Sequence, residues 1–185
     1  MEDFLKQVRL FVYTEIERTG VPARPQVDFT TETAKNLART LGADVTIVEI
    51  GTLLMDAMMG QALIENRPKD HIQMALDKTN ELLSQSTLSD VEKDNIRHCV
   101  SEHHGLNKFY SIESEVCCNA DCYKFASVKG FTISLRYTRD MSLPELIQLL
   151  KEKVEEKWNA ISLDIVKKDL TPQYQTLTKL LENLS

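Results

Sequence analysis

The chain has 185 residues, of which 42% are hydrophobic and 27% charged, and its formal net charge is −6. That length suits one domain with a sizeable core, and the composition is globular, not disordered, fibrous or collagen-like. The negative balance argues against a protein that coats nucleic acid or an anionic membrane, although a local basic spot can still hold one phosphate.

The opening MEDFLKQVRL is charged from its second residue and has no apolar run ahead of a small-residue cleavage site, so it does not read as a signal peptide. Phe4, Val8, Phe11 or Val12, and Ile16 recur at helical spacing, and Gly20 offers a left-handed stop. The Pro-containing stretch 21–26 reads as a connector. A second helix is predicted from Asp28 or Thr30 to Leu41, with Ala34, Leu37, Ala38 and Leu41 inward, and Gly42 ends it. Asp44 can cap a third helix, which is apolar enough to be central. Glu49, Asp56 and Gln61 interrupt the apolar stretch 45–64, which argues against a membrane span.

The polar segment 65–69, with Pro68, precedes a fourth helix from near Asp70 that carries Ile72, Ala75, Leu76, Thr79 and Leu83. Ser89 and Glu92 form a capping box that opens a fifth helix toward Glu102, and a sixth covers Ile112 to about Phe125. Phe131, Ile133, Leu135 and Tyr137 alternate, which is the period of a strand. Ser142 and Glu145 form a second capping box around Pro144, and Leu146, Leu150, Val154 and Trp158 follow at four-residue intervals. A last helix after Pro172 takes Leu177, Leu180, Leu181 and Leu184. No repeat or linker divides the chain. The expectation is one compact all-α domain over 1–185, with a core over 28–128 and C-terminal helices over 142–185 packed on it.

Cys99, Cys117, Cys118 and Cys122 lack the CxxC pairing of a zinc finger. Without a secretory signal they read as reduced, buried thiols of a cytoplasmic protein. Asp56 lies within Leu53-Leu54-Met55-Asp56-Ala57-Met58-Met59, where a carboxylate is costly to ionise unless a partner or a metal holds it. Bonding to a neighbouring helix would serve equally well. His71 opens the next helix, and by itself could be an exposed first-turn residue. His103 and His104 stand before Gly105; adjacent helical residues point about 100° apart, so two adjacent ligands need a helix end. Alone, the pair could equally be a helix cap. Asp121 lies in a run of small and apolar residues. Together these supply two carboxylates and three imidazoles on successive helices, a set suited to a transition-metal ion.

Several segments, in their order, resemble the HD superfamily of metal-dependent phosphohydrolases. They are Ala34-Lys35-Asn36-Leu37-Ala38, Leu41-Gly42-Ala43-Asp44, Val48-Glu49-Ile50-Gly51-Thr52-Leu53-Leu54, Asp70-His71, Glu102-His103-His104-Gly105, Glu113-Ser114-Glu115, Asn119-Ala120-Asp121 and Thr171-Pro172-Gln173-Tyr174. The resemblance implies an all-helical fold of about seven or eight helices, with a loop or short helix in place of the alternating segment. It also implies a metal site drawn from Asp56, His71, His103, His104 and Asp121, with Asp56 and Asp121 in catalytic roles. Two histidines of the family pattern are missing. Its His-Asp doublet reads Met55-Asp56 here, its first histidine falls near Gln26, and the chain has no histidine before His71. A thioether and a neutral amide do not replace imidazole for a hard or borderline ion.

What the resemblance leaves is one complete half-site, Asp56, His71, His103 and His104, and a first half-site reduced to Asp56 and Asp121. One divalent ion (Mn, Fe, Ni, Zn or Mg) is therefore expected, with no nucleotide cofactor and no P-loop. Lys124, Lys129, Arg136 and Arg139 are the candidates for phosphate contact, against a reading as solvated surface charge. The expected activity is hydrolysis of a small phosphate ester or nucleotide, weakened or altered by the lost histidines. The alternative is a catalytically silent ligand-binding or interaction protein of the same fold. Homodimerisation is compatible with the amphipathic helices, but their packing does not require it.

Overall fold

The computed structural model describes residues 1–136 and 141–184. Among them lie ten α-helices and one 3-10 turn: α1 Glu2–Thr19, α2 Arg24–Leu41, α3 Val45–Leu54, α4 Met59–Ile64, the turn Pro68–Asp70, α5 His71–Ser84, α6 Asp90–Ser101, α7 Ile112–Ala126, α8 Val128–Arg136, α9 Leu143–Asn159 and α10 Asp164–Asn183. No strand occurs among the described residues.

Helix α7 is the axis of the structure, packed against α2, α3, α6, α8, α9 and α10. Its small residues allow this close surround: Cys117, Cys118, Ala120 and Cys122 are all fully buried. Helix α3 is the second central element, and every residue from Ile47 to Leu54 is buried. Asp44 starts it by accepting hydrogen bonds from the Thr46 and Ile47 amides at 2.8 and 3.0 Å. The apolar stretch 45–64 is long enough for a membrane span by length and composition, but most of it is buried inside the fold. It is also broken by a turn over 55–58, and Asp56 occupies that break. The main core further includes α1, which contributes Phe4, Leu5, Val8, Val12 and Ile16.

Three segments differ from the sequence expectation, and the alternating one, strand-like by period, is the short helix that the resemblance implied. Helix α2 begins at Arg24, because Pro25 sits in its first turn, where a missing N–H costs nothing. The alternating segment is the helix α8 as far as Arg136; Tyr137 lies outside the described residues. Its buried residues are Gly130, Phe131 and Ser134, at helical spacing, and a Cβ at position 130 would lie 2.1 Å from the Tyr123 carbonyl of α7. Such close approach needs glycine. Helix α9 turns Ile147, Leu150, Val154 and Lys157 inward, a face offset by about one residue from the expected stripe. Helix α10 starts eight residues before Pro172 and carries it internally. Apolar burial on both sides, Val166 and Leu170 before and Leu177 and Leu181 after, offsets the roughly 3 kcal/mol proline penalty. A second, smaller core of Phe131, Ile147, Leu150, Val154, Leu177 and Leu181 joins α8, α9 and α10.

Candidate metal centre

The two cores flank a cleft of about 810 Å³. Its floor carries Asp56, His71, His104, Asp121, Lys124 and Lys157, and its walls include Val21, Pro22, Met59, Leu63, Ile72 and Leu149. The chain thus encloses a charged floor in mostly apolar walls, the usual design of a small-ligand site.

Three histidines gather at one side. His71 starts α5, immediately after the turn imposed by Pro68, and His103 and His104 follow the end of α6. Gly105 then takes a positive φ of 94°, which turns the chain away. One ring nitrogen from each of the three lies within 4.8 Å of the others. The His71 Nδ1 is 2.8 Å from the Pro68 carbonyl and the His103 Nδ1 is 2.7 Å from the Val100 carbonyl. A carbonyl only accepts, so each Nδ1 carries the proton and donates it. Each Nε2 is left as a buried lone pair without a hydrogen-bond partner. These two nitrogens face Asp56 Oδ1 at 3.7 and 3.5 Å. In this tautomer three acceptors converge with no donor among them, an arrangement that a bound cation would satisfy. Backbone-anchored imidazoles with a free Nε2 fit a divalent ion of the Mn, Fe, Ni or Zn type.

The other side is built from lysines. The Lys124 ammonium bonds Asp56 Oδ2 and lies 2.6 Å from Asp121 Oδ1. Lys157 lies 2.7 Å from Asp121 Oδ2 and 3.0 Å from Glu156 Oε1, and Lys153 is 2.6 Å from Glu156 Oε2. Lys124, Lys157 and Asp121 are all buried. Three ammonium groups therefore balance three carboxylates.

The protonation states follow from this geometry. Burial pushes the Asp56 carboxyl up, but it is held well below the usual carboxylate range, with the Lys124 ammonium the largest influence downward. Burial acts on Asp121 in the same way, and Lys124 and Lys157 depress it further than burial raises it. For Lys124 and Lys157 burial favours the neutral amine, yet the carboxylates, Asp121 foremost, hold both above the ordinary lysine value. Burial lowers His71. His104 falls to about 4, through burial first, with the Lys157 ammonium acting in the same direction. Both imidazoles are neutral near pH 7, the state a metal ligand needs.

The structure brings Asp56, His71, His103, His104, Asp121 and Lys124 together. Lys129 lies elsewhere, with its Nζ 5.1 Å from the centroid of the Phe29 ring, and Arg136 is exposed outside the cleft lining. Arg139 lies outside the described residues. Gln26 lines the cleft, but its Nε2 donates to Ser134 Oγ at 2.9 Å; Met55 is buried. Sequence reasoning missed Lys157. The available signal was its place on the apolar stripe of α9, three residues after Val154.

No protein-family model matches the sequence, and no curated protein matches it. Solved structures do share its fold. A predicted HD superfamily hydrolase from an uncultured Thermotogales bacterium aligns at 12% identity and a TM-score of 0.69, over 96% of this chain and 89% of that one. YpgQ of Bacillus subtilis aligns at 15% and 0.64, over 98% and 94%. A Lactobacillus plantarum protein aligns at 14% and 0.71, over 99% and 95%. The fold of this chain is that of the HD superfamily hydrolases.

Proposed function

We propose that this chain, with its HD hydrolase fold, is a metal-dependent phosphohydrolase acting on a small phosphate ester or nucleotide, and that it holds one divalent ion with Asp56, His71, His103 and His104. The observation that carries the reading is the convergence of the partnerless His71 and His103 Nε2 atoms on Asp56 Oδ1. An ion held there supplies Lewis acidity, polarising a phosphoryl oxygen and lowering the pKa of bound water. The protein's own contribution is positional. Asp56 turns one oxygen to the histidines and the other to Lys124, which fixes its carboxylate plane. Lys124, Lys153 and Lys157 line the cleft floor and rim; their charges are balanced by Asp56, Asp121 and Glu156, so what they offer a phosphate is N–H donors and not a net field. The largely apolar walls suit an ester group without charge of its own. A cytoplasmic setting fits the four buried free cysteines.

The second reading, a silent ligand-binding protein, draws on a specific feature. Both oxygens of Asp121 are ion-paired to lysines, at 2.6 Å to Lys124 and 2.7 Å to Lys157, so its charge is already answered within the protein. One experiment separates the two: hydrolysis of p-nitrophenyl phosphate, bis-p-nitrophenyl phosphate and a nucleotide panel with Mn²⁺. The enzyme reading expects turnover that chelator abolishes and His103→Ala reduces at least a hundredfold. Phosphate release that is the same in both proteins would reject it.

A further inference from the structure

The two sides of the centre are chemically unlike, and they share Asp56. On one side the acceptors lack a donor. On the other, Asp56 Oδ2 and both oxygens of Asp121 lie within ion-pair distance of an ammonium, although Asp121 Oδ2 receives no hydrogen bond. Lys124 bridges the pair, bonding Asp56 Oδ2 and lying 2.6 Å from Asp121 Oδ1. Lys157 takes the second oxygen of Asp121 at 2.7 Å. The bridge is also held from behind. Ser134 Oγ lies 3.0 Å from the Gly130 carbonyl and 3.3 Å from the Lys124 carbonyl, and Gly130 lets α8 pack on the Lys124 peptide, where a Cβ would lie 2.8 Å from its oxygen. The nearby neutral amide of Gln26 is directed to Ser134, where its Nε2 donates.

We infer that Lys124 is a resident cation: its ammonium occupies the one place between Asp56 and Asp121 where a metal ion would otherwise sit, and so limits the centre to a single divalent ion at the histidines. An ammonium is a compact point charge with three donors, about the size and charge needed to hold two carboxylates together. Two of those donors meet Asp56 and Asp121, and the third is left for an oxygen entering from the cleft that Lys124 lines. The positive charge is thus permanent and independent of metal supply. It stabilises charge on a phosphoryl group by hydrogen bonding, without the Lewis acidity that activates water. This inference builds on the single-ion reading above, but it concerns the opposite side of Asp56.

The test is Mn²⁺ stoichiometry, measured by equilibrium dialysis of the full-length chain with the metal counted by mass spectrometry. The inference expects one equivalent in the wild type, in Lys124→Arg and in Asp121→Asn, since none of these frees the carboxylate pair for an ion. Lys124→Ala should gain a second, weaker equivalent and bind its first at least tenfold more tightly. Lys124→Ala leaves two buried carboxylates uncompensated, so its melting temperature should be low without metal and rise more with Mn²⁺ than that of the wild type. If Lys124→Ala cannot be purified folded, Asp121→Asn decides: loss of the ion there means that Asp121 is a ligand and overturns the inference. Two equivalents in the wild type overturn it while leaving a metal-dependent function intact. An unchanged stoichiometry and affinity in a folded Lys124→Ala also overturn it. No metal in the wild type but binding by Lys124→Ala rejects the single-ion reading and supports the resident cation. No binding by either rejects both.

Discussion

The two sides of Asp56 are held in place by different means. The histidine side is made at helix ends: the start of α5, the end of α6 and the turn at Gly105. There backbone carbonyls orient the imidazoles: Pro68, which also accepts the His71 amide, for His71, and Val100 for His103. The lysine side is made inside helices, by Asp121 and Lys124 one turn apart on α7 and Lys157 on α9. There the backbone is already satisfied, and only side-chain charges can answer one another. The first arrangement leaves lone pairs over for a ligand, and the second uses its charges up. A binding centre needs the former, and a rigid floor beneath it is supplied by the latter.

That contrast predicts different losses on the two sides. The largest belongs to the histidines. His103→Ala should weaken Mn²⁺ binding more than a hundredfold, because removing a ligand exceeds the 10–100-fold effect of a supporting group; titration calorimetry of the folded variant reads this, apart from the stability lost to the cavity that this fully buried ring leaves. On the lysine side the loss is in stability. Lys157→Ala strands a buried carboxylate, at a cost of about 3–5 kcal/mol. Thermal unfolding should show a fall of roughly 10 °C, given about 2–4 °C per kcal/mol for a chain of this size. A paired Asp121→Leu with Lys157→Met should recover most of it, because the partner is removed as well.

A smaller effect separates the sides by pH. The folded-state values of Asp56 and Asp121 are depressed. The stability they contribute is therefore present above the unfolded carboxylate value, near 3.9, and is lost as pH falls through the depressed values. The urea midpoint of the wild type should decline between about pH 4 and pH 2, and more steeply than that of Asp121→Asn; parallel profiles would argue that the lysine side does not hold these carboxylates. The smallest effect is expected of Lys129→Ala, which lies over the Phe29 ring away from the cleft. It should change stability by less than about 0.5 kcal/mol and leave KM for any phosphate substrate unaltered.

The histidine side was largely legible in the sequence, because imidazoles are scarce and a glycine follows the pair. Four histidines in the chain leave few ways to assemble three. The lysine side was legible only in part. Asp121 and Lys124 could be placed in one helix, but lysine is ordinarily a surface residue, and its long stem reaches places that its position on a helix does not define. Lys157 was hidden further by Trp158, whose apolar ring drew the inward face of α9 one residue too far. In the structure Trp158 lies at the edge of the core, stacked on Tyr174 with centroids 4.2 Å apart, and Lys157 points inward. The fold was legible from capping boxes and periodicity, and it failed where packing overrides local preference. Pro172 inside α10 and the strand-like alternation of α8 are both cases of tertiary burial outweighing a short-range signal.

The claim at the centre of this account is that Asp56 faces a metal ion on one side and an ammonium on the other. Anomalous X-ray scattering from crystals grown with Mn²⁺ tests it in a single measurement. The account predicts one peak per chain, within ligand distance of the His71 and His103 Nε2 atoms, and Lys124 Nζ in contact with both Asp56 and Asp121. A peak between Asp56 and Asp121, with Lys124 displaced, or none beside the histidines at saturating Mn²⁺, would contradict it.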